Sequence, residues 1–144
     1  MPNPKIGPDH YRYREELVPS GIKIVRDRYI VIGETPKCWY VIHDYYQGYV
    51  GYEDVNPYAR DLVARNRKRV LKQQDFGRRY CYSDPKLALH SYRERKRFQL
   101  ARLELQMSVC KHVSEALANE ELEAAELIPL GHSEYTSKLS WGDW

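Results

Sequence analysis

The chain is poor in the features that mark most exported, membrane and catalytic proteins. It has three cysteines, Cys38, Cys81 and Cys110, an odd number without a CxxC pair. That excludes a disulfide framework or zinc knuckle and fits a reducing compartment. No run approaches the roughly 18 to 20 apolar residues of a membrane span, and residues 1–16 offer no apolar stretch for a signal peptide. The expectation is a soluble cytoplasmic protein with no membrane partner.

Chemistry-bearing motifs are equally scarce. The five histidines, His10, His43, His90, His112 and His132, match no metal-site pattern such as HExxH, so no metal or other cofactor is expected. His43-Asp44 is a bare dipeptide in a β-rich stretch and carries almost no specificity for a phosphohydrolase. There is no GxSxG elbow, and each cysteine sits in an apolar pattern as a packing residue would. The close glycines Gly48 and Gly51 are followed by Glu53 and Asp54, two acids that would repel a phosphate. Adjacent acids such as Glu15-Glu16 and Glu120-Glu121 are not the poised, desolvated pair that acid–base catalysis needs. A non-enzymatic protein is expected.

What is present is charge, unevenly placed. Residues 60–111 hold 15 Lys/Arg against 5 Asp/Glu, whereas residues 112–144 hold 1 against 7. The basic middle, Arg65, Arg67, Lys68, Arg69, Lys72, Arg78 and Arg79, continued by Arg93 and Arg97, is able to contact phosphates. It is equally suited to an acidic protein surface or the chain's own acidic end. No RNA- or DNA-binding signature accompanies it.

The aromatics are lopsided as well, with 13 tyrosines against two phenylalanines. Tyr45, Tyr46, Tyr49, Tyr52 and Tyr58 cluster with Glu53 and Asp54 in one loop-like stretch. Tyrosine provides rigid contact area with a water-tolerant hydroxyl, which suits a binding surface. The acids there favour a protein partner over nucleic acid.

Patterning predicts an α+β fold, with a small antiparallel sheet of three or four strands, one long C-terminal helix and a shorter helix. After a Pro-rich extended opening, residues 21–33 read as two short strands joined by a turn at Arg26-Asp27-Arg28, and 37–45 as a third. Asn56-Pro57 caps a helix to about residue 68, Arg79 to Tyr82 suggests a fourth strand, and Ser83-Asp84-Pro85 starts a helix to about residue 118. That helix has two apolar sides, one bearing Leu100, Leu103 and Met107, the other Phe98, Leu105 and Val109. The latter three are a candidate helix interface. Residues 1–128 are expected to form one domain and 129–144 a polar and aromatic tail.

The segment Glu34-Thr35-Pro36-Lys37-Cys38-Trp39, then Arg78-Arg79-Tyr80-Cys81-Tyr82, then a helix opening Ser83-Asp84-Pro85-Lys86-Leu87-Ala88-Leu89, resembles small accessory proteins of tailed bacteriophages and prophages. The resemblance covers roughly residues 22–118. It implies a non-enzymatic protein of the bacterial cytoplasm that binds and occludes a host protein or nucleoprotein complex, such as a nucleic-acid-acting defence system. A DNA- or RNA-binding protein and a virion component remain alternatives, and a homodimer through the long helix is compatible with each.

Overall fold

A computed structural model describes residues 5–73 and 78–118. The chain divides into two units, Met1–Tyr92 and Arg93–Trp144. The first is a four-stranded antiparallel sheet in the order β1-β2-β3-β4 with helical elements around it. Its elements are β1 (His10–Val18), β2 (Gly21–Glu34), β3 (Cys38–His43), a 3-10 helix η1 (Asp44–Tyr49), α1 (Pro57–Asn66), β4 (Lys68–Leu71) and the start of α2 (Pro85–Leu117). The α+β class stands.

β1 and β2 form a long hairpin. Val18 pairs with Gly21, leaving Pro19 and Ser20 alone to make the turn. Gly21 sits at φ 145°, a conformation side chains disfavour. Arg26-Asp27-Arg28 is not a turn but the interior of β2, pairing with Tyr13, Arg12 and Tyr11. The polar triplet is tolerated because Asp27, which is buried, meets the Arg14 guanidinium of β1 and the His43 ring of β3 rather than facing an apolar layer.

β3 is covered on both faces, each of which carries apolar residues. Val41 joins Tyr29, Val31, Val70 and Cys81 in one core layer, with Trp39 and Tyr80 packed against it. Ile42, one residue on, points to the opposite face, and both are fully buried. α1 packs against β3 and η1 and buries Ala59 and Val63, four residues apart on one helical face. Asn56 caps α1 as expected, its side-chain oxygen accepting from the amides of Tyr58 and Ala59 at 3.0 and 3.3 Å.

The fourth strand is Lys68–Leu71, paired with β3, and not Arg79 to Tyr82. The latter contributes a single bridge, in which Tyr11 and Tyr82 exchange backbone hydrogen bonds of 2.7 and 3.0 Å at the free edge of β1. Asp84 then accepts from the Lys86 amide at 2.9 Å and opens α2. The first turns of α2 bury Ala88 and Tyr92, and the Tyr92 hydroxyl donates to Glu15 at 2.8 Å. From Arg93 onward α2 belongs to the second unit and buries no residue. The predicted tail from residue 129 lies outside the described residues.

His10 is completely buried beside this core. Its Nδ1 lies 2.8 Å from the Pro8 carbonyl and so donates to it, while Nε2 has no hydrogen-bond partner among the described residues. Burial lowers its pKa, against the opposing pull of the Pro8 carbonyl and Asp9. The neutral ring is the folded form, so its contribution is whole above the ordinary histidine pKa of about 6.5 and drains away as the pH falls below it. Urea midpoints between pH 8 and 5 are expected to fall more steeply for wild type than for His10→Phe. Equal slopes would refute the assignment.

Candidate functional site

The tyrosine cluster is built on the end of β3. His43 caps η1, its Nδ1 lying 3.0 Å from the Tyr45 amide. Short-range bonds then carry the chain to α1: the amides of Val50 and Tyr52 donate to the carbonyls of Gln47 and Tyr49, and those of Val55 and Asn56 to that of Tyr52. The Gly51 amide donates to the Glu53 carboxylate at 2.6 Å. Glu53 therefore serves the loop itself, while Asp54 remains exposed. Such a continuous set of local bonds holds a loop in one conformation before anything binds to it.

On this frame Tyr45, Tyr52, Val55 and Tyr58 are 77%, 52%, 79% and 60% exposed. Tyr46 and Tyr49 are half-buried supports. Tyr45 stacks edge-on against Tyr46 with ring centres 5.2 Å apart, and Tyr49 against Tyr58 at 6.0 Å, which joins η1 to α1. The structure thus joins four of the predicted tyrosines in two stacked pairs, leaves Tyr52 exposed on the same loop, and adds the exposed Val55, which composition did not single out.

An ionic network underlies the loop. The His43 Nε2 lies 3.2 Å from Asp27, and Asp27 accepts from the Arg14 Nε at 2.6 Å. Burial opposes ionisation of Asp27, but the hydrogen bonds from Arg14 and His43 outweigh it and hold the carboxyl below the usual carboxylate range. The other ring nitrogen of His43 lies between the Tyr45 amide and Asp44, 3.2 Å from the latter. Both ring nitrogens are thus engaged, and the ring positions the start of η1. Among the described residues, no group of three or more His, Cys, Asp or Glu side chains is arranged to hold a metal.

The basic residues are divided. Arg65 ends α1, and Arg67, Lys68 and Arg69 run into the edge strand β4, all exposed. Arg67 lies over the Tyr40 ring and Lys68 over Tyr80, with the cations 4.7 and 5.4 Å from the ring centres. None of these four makes an ion pair among the described residues. Lys72 is committed internally, 2.6 Å from Glu34 and above the Trp39 ring. Arg78 is exposed, and Arg79 is half-buried with its amide on the Tyr82 hydroxyl. Arg93 and Arg97 lie in the second unit, where Arg97 pairs with Glu94 at 2.7 Å.

The candidate helix interface is partly covered: Phe98 and Leu105 are half-buried and Val109 is 39% exposed. Of the cysteines, Cys38 and Cys81 are buried and Cys110 is exposed, so the last is not the packing residue its pattern suggested. Burial pushes the Cys81 thiol up to about 12, against the nearby charge of Arg12. Sequence reasoning missed the part of β1 in the site, since the Arg14–Asp27–His43 network needs residues 10–18 as a strand. The alternation Tyr11, Tyr13 and Glu15 against His10, Arg12 and Arg14 was the available signal. No helix among the described residues is long and apolar enough to cross a membrane. No protein-family model matches the chain, and neither a curated protein nor a solved structure matches it.

Proposed function

We propose that this is a non-enzymatic interaction protein that docks its tyrosine loop on a protein or nucleoprotein surface and acts by occluding it. The observation that carries the reading is the exposed set Tyr45, Tyr52, Val55 and Tyr58 on a loop already tied by hydrogen bonds and ring stacking. Exposed tyrosines with little conformational entropy left to lose are the residues that dominate binding energy at protein interfaces. The resemblance to phage accessory proteins directs the search for the target to bacterial nucleic-acid-acting machines.

A second reading, nucleic-acid binding, draws on Arg65, Arg67, Lys68 and Arg69, which are exposed and free of ion pairs among the described residues. One comparison separates the two. Tagged wild type, Tyr45→Ala/Tyr58→Ala and Arg67→Glu/Arg69→Glu are used to capture partners from bacterial lysate with and without nuclease, after circular dichroism has verified each fold. The docking reading expects a stoichiometric protein partner that survives nuclease, is retained by the charge reversal, and binds the tyrosine variant about 30-fold or more weakly. Loss on charge reversal alone, with recovered nucleic acid and steep salt dependence, would replace it with the second reading.

A further inference from the structure

The second unit carries a self-complementary surface. Along α2, Leu100, Leu103, Met107, Cys110, Ser114 and Leu117 follow one another at alternating spacings of three and four residues, and every one of them is exposed. Leu100, Leu103, Met107 and Leu117 are 59%, 50%, 55% and 66% exposed. This is the spacing of a coiled-coil seam, about 27 Å long at the rise of an α-helix. It is distinct from the side bearing Phe98 and Leu105, two residues that are half-buried.

We propose that this seam pairs with a second copy of the chain in an antiparallel, two-fold arrangement whose axis passes between Ser108 and Val109. The spacing of the seam reads the same from either end. Reversing one helix therefore sets Leu100 against the partner's Leu117, Leu103 against the partner's Ser114, and Met107 against the partner's Cys110. An isologous contact requires this kind of self-matching.

Charge selects the direction. Glu104 and Lys111 both flank the seam on the same side, are exposed, and make no ion pair among the described residues. In the antiparallel pair, Glu104 falls in the same interlayer as the partner's Lys111, and symmetry repeats the contact. A parallel pair in register would instead set Glu104 beside the partner's Gln99 and Lys111 beside the partner's Gln106, leaving both charges unmatched. Residues flanking the seam set orientation in this way in coiled coils generally.

Sedimentation equilibrium of the full chain tests the arrangement. Wild type is expected to dimerise reversibly. Glu104→Lys and Lys111→Glu should each weaken the dimer roughly tenfold or more, since each turns two attractions into two repulsions. The combined Glu104→Lys/Lys111→Glu chain should recover wild-type association, which a folding defect would not permit. Leu103→Glu should abolish the dimer, and Leu105→Glu, on the other side of the helix, should leave it intact.

Oxidative cross-linking with copper–phenanthroline reads direction independently, because Cys38 and Cys81 are buried. In the antiparallel pair the two Cys110 residues are offset by about 4.5 Å along the axis, which takes them out of easy disulfide reach. Met107→Cys, which sets a thiol opposite the partner's Cys110, should give a covalent dimer where wild type does not. A monomer at all concentrations, indifference to the charge reversals, dissociation by Leu105→Glu, or ready cross-linking of wild type through Cys110 would each overturn the proposal.

Discussion

Ile42→Ala is expected to lower the unfolding free energy of the first unit by about 2 to 5 kcal/mol, the range for truncating a buried isoleucine or leucine. Ile42 is completely buried in β3, an inner strand with β2 on one side and β4 on the other. Its backbone partner across β2 is Ile30. A strand held by hydrogen bonds on both edges has little freedom to move into the space that three missing carbons leave, so the cavity persists and adds to the lost transfer energy. Domains of this size are stable by only about 5 to 15 kcal/mol, so the upper part of the range brings the variant near unfolding at physiological temperature. Leu17→Ala serves as the control. Leu17 is 81% exposed near the hairpin turn and its loss should change stability by less than about 0.5 kcal/mol. Urea unfolding followed by far-ultraviolet circular dichroism makes the comparison; equal costs for the two variants would mean that β3 is not the centre of the core.

Asp27→Ala is expected to cost about 1 to 3 kcal/mol at neutral pH, because it removes the acceptor that Arg14 and His43 share. Breaking a fully buried pair costs more, but Arg14 is half in solvent and water screens the charge left behind. The same substitution should change the response to acid. The folded-state pKa of Asp27 is depressed, so its contribution is whole above the ordinary carboxylate value of about 3.9 and is lost as the pH falls through the lower folded-state value. Asp27→Ala and Asp27→Asn should both lack that part of the acid-induced loss. Unfolding free energies measured down the pH series decide the matter, and an unaltered acid limb in both variants would show that the network stores no stability. Because His43 anchors η1, the substitution is also expected to loosen the loop that presents Tyr45, and partner affinity should fall although no contact residue has changed.

Parts of the structure were legible in the sequence. α1 and α2 were, since Asn56-Pro57 and Asp84-Pro85 are local signals whose hydrogen bonds form within a few residues. β3 was legible because both of its faces are apolar. β1 was not: Tyr11, Arg12, Tyr13 and Arg14 lack the β-branched run that marks a strand, and their pairing with residues 26 to 29 is a long-range event. The supposed turn at Arg26-Asp27-Arg28 failed for the same reason, since its polarity is satisfied by side chains from other strands. Arg79 to Tyr82 has good strand composition, yet the position beside β3 is taken by Lys68–Leu71, which follows α1 almost directly. Proximity along the chain prevailed over composition.

The candidate site was half visible. The crowding of tyrosines between Tyr45 and Tyr58 is a property of the sequence and marked the loop without any coordinates. Which of those rings face solvent, and that Val55 joins them, depended on the course of η1 and on the stacking of Tyr49 on Tyr58. The two apolar sides of α2 were likewise plain from their period.

By itself, then, the amino-acid order determined the class of fold, the two helices with their caps, the tyrosine-rich loop and the segregation of basic and acidic segments. All of these depend on composition or on interactions a few residues long. Only the tertiary structure decided which strands pair, that Asp27 is an interior anchor, that Glu53 is spent on its own loop, and which side of α2 stays exposed. Those outcomes arise where residues far apart in the chain compete for the same neighbours, and no local pattern records the winner.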